Sequence, residues 1–377
     1  LLLIFVVSLM TPLEILLRLR EPKAYEVWAA GLHTELYPEP GNLPGIEGRK
    51  EFSINSLGIR GEEPPKDGTF RILALGSSTT ESLYFDDSEV WTKLVEDKLN
   101  ASSRHRVWVG NVGRAGHGTR ENMVQVRRLL AQPPAMDAIV LLPGATDFLD
   151  YLAHAPHYER MTPVEILRSA AVERRAFMRI PPKADGSWVR GTAIGRRFWV
   201  HTYTEPIGLH FEQDSFARIY PQLRALRHQA RIFRRKLPDL DPPLHEFRDN
   251  LSWIIAWASQ HRVRVVLMTQ PYLWHASMPA SERSMLWMGR VDTAPKAKGR
   301  REYYSASAMA AGISRFNAVT MQLCHETKAK CIDLAKLVPQ RALNFCDDLH
   351  FSEVGNRLAA SVIAGRLSKR VSLIRER

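Results

Sequence analysis

Short apolar runs closed by turn-forming residues, with amphipathic stretches between them, constrain the folding of this 377-residue chain more than any other feature. "FRILALG" spans Phe70 to Gly76, and "HRVWVGN" (105–111), "DAIVLLPG" (137–144) and "VRVVLMTQP" (263–271) follow the same plan, with "CIDL" (331–334) a shorter fifth. Each is too short for a helix and carries no polar alternation, which predicts strands buried on both faces. Between them, residues 89–99 place Val90, Leu94 and Val95 on one side, and 120–130 reads as a second helix. Leu244, Phe247, Leu251, Ile254 and Ile255 form one later helical stripe, and Met309, Ile313, Phe316, Thr320 and Leu323 another. Val354 to Leu367 closes the pattern. Strands alternating with helices predict an α/β protein with a three-layer α/β/α parallel sheet.

The alternation assigns residues 70–150 and 244–377 to one core. Residues 151–243 interrupt it with mixed basic and aromatic text, which predicts a largely helical insertion acting as a lid. Residues 21–69 are rich in Pro and Gly and predict an extended lead-in with turns. Residues 1–20 open with an apolar run, Leu1 to Leu13, before Glu14, Arg18 and Arg20 break it. This predicts a membrane anchor or signal segment; since a span takes about 20 residues, a preceding segment is expected to complete it.

The net charge of +12 is concentrated: Tyr151 to Pro243 holds 16 Lys and Arg against 9 Asp and Glu. Within it, Arg224, Arg227, Arg231 and Arg234 stand at helical spacing beside Leu223, Leu226 and Phe233. The expectation is one solvated or headgroup-facing helix stripe, and no accompanying motif supports nucleic-acid binding. Cys324 and Cys331 are spaced to close a short loop in an oxidising compartment, leaving Cys346 unpaired; three buried thiols are the alternative. No Cys-x-x-Cys or His-x-x-x-His cluster occurs, so neither a metal nor a cofactor is expected.

In open α/β sheets ligands bind outside the carboxyl ends of the strands. The first run ends in Gly76-Ser77-Ser78-Thr79, the second in Asn111-Val112-Gly113-Arg114-Ala115-Gly116, the third in Gly144-Ala145-Thr146-Asp147. A serine opening a helix lies near the positive end of the helix dipole, which favours developing negative charge, but it still needs a base. Near the carboxyl terminus Asp347 precedes His350 by three residues, just ahead of the last helix, with Ser352 placed as its cap. An imidazole held by a nearby carboxylate suits proton transfer at neutral pH.

These four blocks, in this order, resemble the SGNH or GDSL-type serine hydrolases, and the apolar start with "INSLGIRGEE" (54–63) is similar to the membrane-tethered bacterial branch. The resemblance implies the flavodoxin-like SGNH hydrolase fold, Ser78 as nucleophile with Ser77 its rival, His350 as base and Asp347 as its partner. It implies an oxyanion hole from the N–H groups of Ser78 and Gly116. The family's third block is Gly-x-Asn-Asp; Thr146 stands where the Asn amide is expected, and a hydroxyl there is a shorter donor. The expected activity is hydrolysis of a carboxylic ester in a small molecule, lipid or acylated glycan, by a membrane-tethered extracytoplasmic enzyme. O-acyl transfer to, or deacetylation of, an envelope polysaccharide is the alternative, as is a non-catalytic glycan-binding domain. His154 and His157, after the third strand, are expected at the surface or in contact with the insertion, with lining of the pocket the alternative. Gln270, Tyr272 and Trp274, after the fourth, are expected to pack against the insertion or to form a substrate wall, and Arg60 to pair with a carboxylate near the site.

Overall fold

The computed structural model describes residues 2–66, 68–102, 105–182, 192–194, 215–291, 302–327 and 329–371. Its centre is a five-stranded parallel sheet of β3 (Phe70–Gly76), β4 (Val107–Asn111), β5 (Ala138–Leu142), β7 (Arg264–Met268) and β9 (Lys330–Ile332), ordered β4-β3-β5-β7-β9. The five apolar runs of the sequence are these five strands. Ile72, Leu73, Ala74 and Leu75 of β3 and all of β5 are buried, as strands covered by helices on both faces require.

Helices α3 (Trp91–Ser102) and α13 (Glu353–Val371) pack together as one layer. On the other side α4 (Thr119–Leu129) packs on α9 (Asp241–Gln260), and α9 on α11 (Ala306–Glu326). Helix α9 begins three residues before the predicted stripe, with Pro242 and Pro243 in its first turn, where proline's missing N–H costs nothing. The strand order reverses between β3 and β5. The crevice at that switch point is where an open sheet takes its ligand.

The lead-in is tied to the core. Strands β1 (His33–Leu36) and β2 (Lys50–Ser53) form an antiparallel pair, and Arg60 bridges Asn111 at the end of β4. At Gly58 a Cβ would stand 2.6 Å from the Trp28 carbonyl oxygen, so only glycine lets this turn approach the backbone.

The described part of the insertion is not wholly helical. Beyond α5 (Ala145–His154) it contains α6 (Pro163–Arg168), α7 (Ala170–Ala176) and α8 (Ser215–His228), then β6 (Ile232–Arg234), which pairs with β8 (Glu302–Tyr304). This corrects the expected basic stripe. The helix ends at His228, so Arg231 and Arg234 leave its face, and Arg234 instead pairs with Glu302. Arg227 is buried and donates to the carbonyls of Met288 and Tyr304, because those acceptors lie across the fold.

Helix α1 (Leu2–Arg20) carries exposed Leu13, Ile15, Leu16 and Leu19, and no helix among the described residues is long and apolar enough to cross a membrane. Cys324 and Cys331 form a disulfide, and Cys346 is a buried free thiol.

Candidate active site

Gly76 ends β3, and Ser77 caps a one-turn helix, α2 (Ser78–Glu81). A single turn leaves its carbonyls without intrahelical partners. Side chains from three other segments supply them. Trp91 Nε1 donates to Thr79 O (3.3 Å), Asn111 Nδ2 to Thr80 O (2.6 Å), and Arg60 Nη1 to Glu81 O (2.6 Å) and Ser82 O (2.8 Å). Arg60 Nη2 adds Phe85 O (2.6 Å), and its Nε meets Asp87 Oδ1 at 2.9 Å. The expected carboxylate partner of Arg60 is thus Asp87.

The loop after β4 lies against the same helix. Asn111 Oδ1 accepts from Gly113 N (2.9 Å), and at Gly113 a Cβ would stand 2.5 Å from the Glu81 nitrogen. Gly116 has φ +77 and open space around it. Among the described residues neither the Ser78 nor the Gly116 N–H donates to a backbone acceptor. The first turn of α5 is stapled to the start of α4: Asp147 Oδ1 accepts from Thr119 N (2.9 Å) and Thr119 Oγ1 (2.5 Å). Burial pushes Asp147 up to about 6 against these bonds. Thr146 stands in the first turn of α5, half-buried.

The base loop is an Asx turn closed on itself. Asp347 Oδ1 accepts from Leu349 N (2.9 Å) and His350 N (2.8 Å), which swings the imidazole back so that His350 Nδ1 meets Asp347 Oδ2 at 2.7 Å. Cys346 N donates to His350 O (2.9 Å), and Ser352 Oγ caps α13 through Gly355 N (3.1 Å). His350 Nε2 then lies 2.7 Å from Ser78 Oγ, across 272 positions of sequence. Ser78, not Ser77, receives the ring; Ser77 is buried at the helix cap.

Electrostatics follow from this packing. Burial works against the His350 cation, but the charge and hydrogen bond of Asp347, with Asp348 and Glu81 beyond it, hold the imidazole above its ordinary value. Burial would raise Asp347, and the His350 charge and the hydrogen bonds of the turn hold it below its usual range instead. Burial pushes Glu81 up to about 7, opposed by the Ala115 N–H and the charges of Arg114, Arg60 and His350.

The other candidates fall elsewhere. His154 is exposed and pairs with Asp150, and His157 is exposed. Gln270 and Trp274 are fully buried, Trp274 donating to Asp348 Oδ1 (2.7 Å), while Tyr272 meets Ser314 (2.8 Å). Trp274 therefore packs and does not form a substrate wall. No cluster of His, Cys, Asp and Glu able to hold a metal occurs among the described residues. Sequence reasoning missed Trp287, Asp348 and Glu81; for Glu81 the signal was present, a carboxylate one turn after Ser78.

The model of the GDSL-like lipase/acylhydrolase family matches residues 74–358, which takes in all four blocks. The chain belongs to the GDSL-like lipase/acylhydrolase family. Its hydrolase fold is that of the family, and its similarity to individual members is distant. A lipase/acylhydrolase from Enterococcus faecalis is 16% identical, with TM-score 0.41, covering 80% of this chain and 96% of its own. The psychrotrophic esterase EstA from Pseudoalteromonas sp. is 13% identical, with TM-score 0.41, covering 81% and 100%. An acetylxylan esterase from Geobacillus stearothermophilus is 13% identical, with TM-score 0.40, covering 79% and 94%. The comparison with curated proteins finds no match.

Proposed function

We propose that this GDSL-family hydrolase is a serine esterase working through an acyl-enzyme. The observation that carries the reading is the continuous chain Ser78 Oγ, His350 Nε2, His350 Nδ1, Asp347 Oδ2, with 2.7 Å at each link between residues. His350 takes the Ser78 proton as Oγ attacks the ester carbonyl, and Asp347 holds the ring and stabilises the imidazolium. The oxyanion lies on the N–H groups of Ser78 and Gly116, with the Thr146 hydroxyl in place of the family's amide. Collapse breaks the ester C–O bond, and His350 returns the proton to the leaving alcohol. Water, deprotonated by His350, then releases the carboxylic acid.

The substrate class is an ester-bearing small molecule, lipid or acylated glycan. The protein acts outside the cytoplasm, held to the membrane through its N-terminal segment. Two observations support that placement: a disulfide, which persists in oxidising compartments, and the exposed leucine and isoleucine side chains of α1. A sugar hydroxyl replacing water in the second step makes the same residues an O-acyltransferase. Thr146 is the feature favouring a third reading, a glycan-binding domain without turnover. A panel of short-acyl esters, long-acyl esters and acetylated glycans, assayed for released acid and for transferred acyl group, separates them. Turnover that vanishes in Ser78→Ala supports the esterase; binding of glycans with no acid released and no acyl transferred overturns it.

A further inference from the structure

We propose that Trp287 is a positioning residue of the Ser78–His350–Asp347 chain, its indole N–H setting the orientation and basicity of Asp347; this rests on the esterase reading above. Trp287 Nε1 donates to Asp347 Oδ2 at 2.9 Å, the same oxygen that accepts His350 Nδ1 at 2.7 Å. The Asp347 carboxylate is fully buried, so the loss of a hydrogen bond to it is costly. Oδ1 is occupied by the two N–H groups of the turn, which leaves the indole and the imidazole to share Oδ2.

The indole is held from both sides. Asp348 Oδ2 accepts from the backbone N–H of Trp287 (2.7 Å) and of Met288 (3.2 Å), while Trp274 Nε1 holds Oδ1. Arg227, from α8 of the insertion, donates to the Met288 carbonyl and fixes the strip from above. Gly289 turns it with φ +78, where a Cβ would stand 2.8 Å from Met309 Sδ. Tyr220 of α8 packs edge-on against the Trp287 ring at 5.5 Å, and Tyr84, just after α2, packs on Tyr220 at 6.3 Å. A segment 60 positions from Asp347 thus places one donor on it, and two neighbouring elements lock that donor in place.

The consequence is a pH dependence with a definite sign. An indole N–H shared with Asp347 withdraws negative charge from the imidazole, so it lowers the affinity of His350 for a proton. The groups facing the pair are Asp348 on its own loop, Glu81 of α2, and Arg224 and Tyr220 of α8. Replacing the indole leaves these residues in the chain and changes the ring contact of Tyr220.

The test uses the full chain with p-nitrophenyl acetate as probe. Trp287→Phe is expected to lower kcat/KM at pH 7 about tenfold, mostly in kcat, with KM within about twofold. The low-pH limb of kcat/KM is expected to move upward by about half a unit to one unit. Trp287→His, which offers a ring N–H, is expected to return the limb toward its original position. A Phe variant that melts like the unaltered protein and keeps its pH profile overturns the inference. If the variants do not fold, the indole N–H signals of the intact protein decide: none shifting through the His350 midpoint overturns it too. Loss of fluorophosphonate labelling in Ser78→Ala, alongside an unchanged Trp287→Phe profile, leaves the esterase reading standing and removes only this inference. No labelling and no turnover in the unaltered protein removes both.

Discussion

The two sides of the crevice are held in place by different means. On the nucleophile side, one short helix presents Ser78, and its loose carbonyls are gathered by Arg60, Asn111 and Trp91. Those donors grip backbone, so the short helix that carries Ser78 is positioned through its main chain. On the base side, the grip is on side-chain charge: two adjacent carboxylates, Asp347 and Asp348, each take an indole N–H and backbone N–H groups. Burial pushes Asp348 up to about 6, and its Asp347 neighbour pushes the same way, against Arg227 and these donors. The difference teaches which side tolerates change. A backbone grip fails by loss of stability, whereas a grip on charge fails by a shift in proton affinity.

Breaking the comparison at its strongest point comes first. Ser78→Ala is expected to abolish ester turnover, a loss of roughly a millionfold in kcat, while thermal melting changes little; a stopped assay with overnight incubation reads it. On the other side Asp347→Asn is expected to cost about ten-thousandfold in kcat, because an amide holds the wrong imidazole tautomer. Arg60→Met sharpens the contrast, since it touches no reacting atom. It leaves three carbonyls and Asp87 without their cation, and urea unfolding is expected to show a loss of about 3–5 kcal/mol. Thr146→Asn puts back the amide donor of the family pattern and is expected to raise kcat, by up to about a hundredfold. Smallest is the disulfide: Cys324→Ala with Cys331→Ala is expected to lower stability by about 2 kcal/mol without altering kcat.

The pH profile belongs to the base side. In the proposed mechanism His350 must be neutral to accept the serine proton, and its neighbours hold it above the ordinary value of 6.5. Ester turnover, followed as kcat/KM against pH, is therefore expected to rise as pH climbs through that raised value and to fall away below it.

Much of this was legible in the sequence, and the reason is local. The sheet strands are mostly apolar runs, and the Asx turn at Asp347 works within three residues, so the spacing set a carboxylate near His350 and the family resemblance implied the pair. Gly113 and Gly116 likewise signal a turn, although the helix of Ser78 against which Gly113 packs lies outside that stretch. Trp287 was not legible, because its contact to Asp347 exists only once residues 60 positions apart are folded together. Arg227 was misread for the same reason: as a basic residue at helical spacing it looked solvated, yet carbonyls of Met288 and Tyr304 make its burial possible. The fate of a charge depends on acceptors that the sequence around it does not contain.

The central claim is that the Ser78 hydroxyl is made nucleophilic by His350. Intact protein incubated with a fluorophosphonate probe, digested and mapped by mass spectrometry, tests it directly. The account predicts one adduct, on Ser78, absent in His350→Ala. An adduct on Ser77, or labelling of Ser78 that is undiminished without the imidazole, contradicts it.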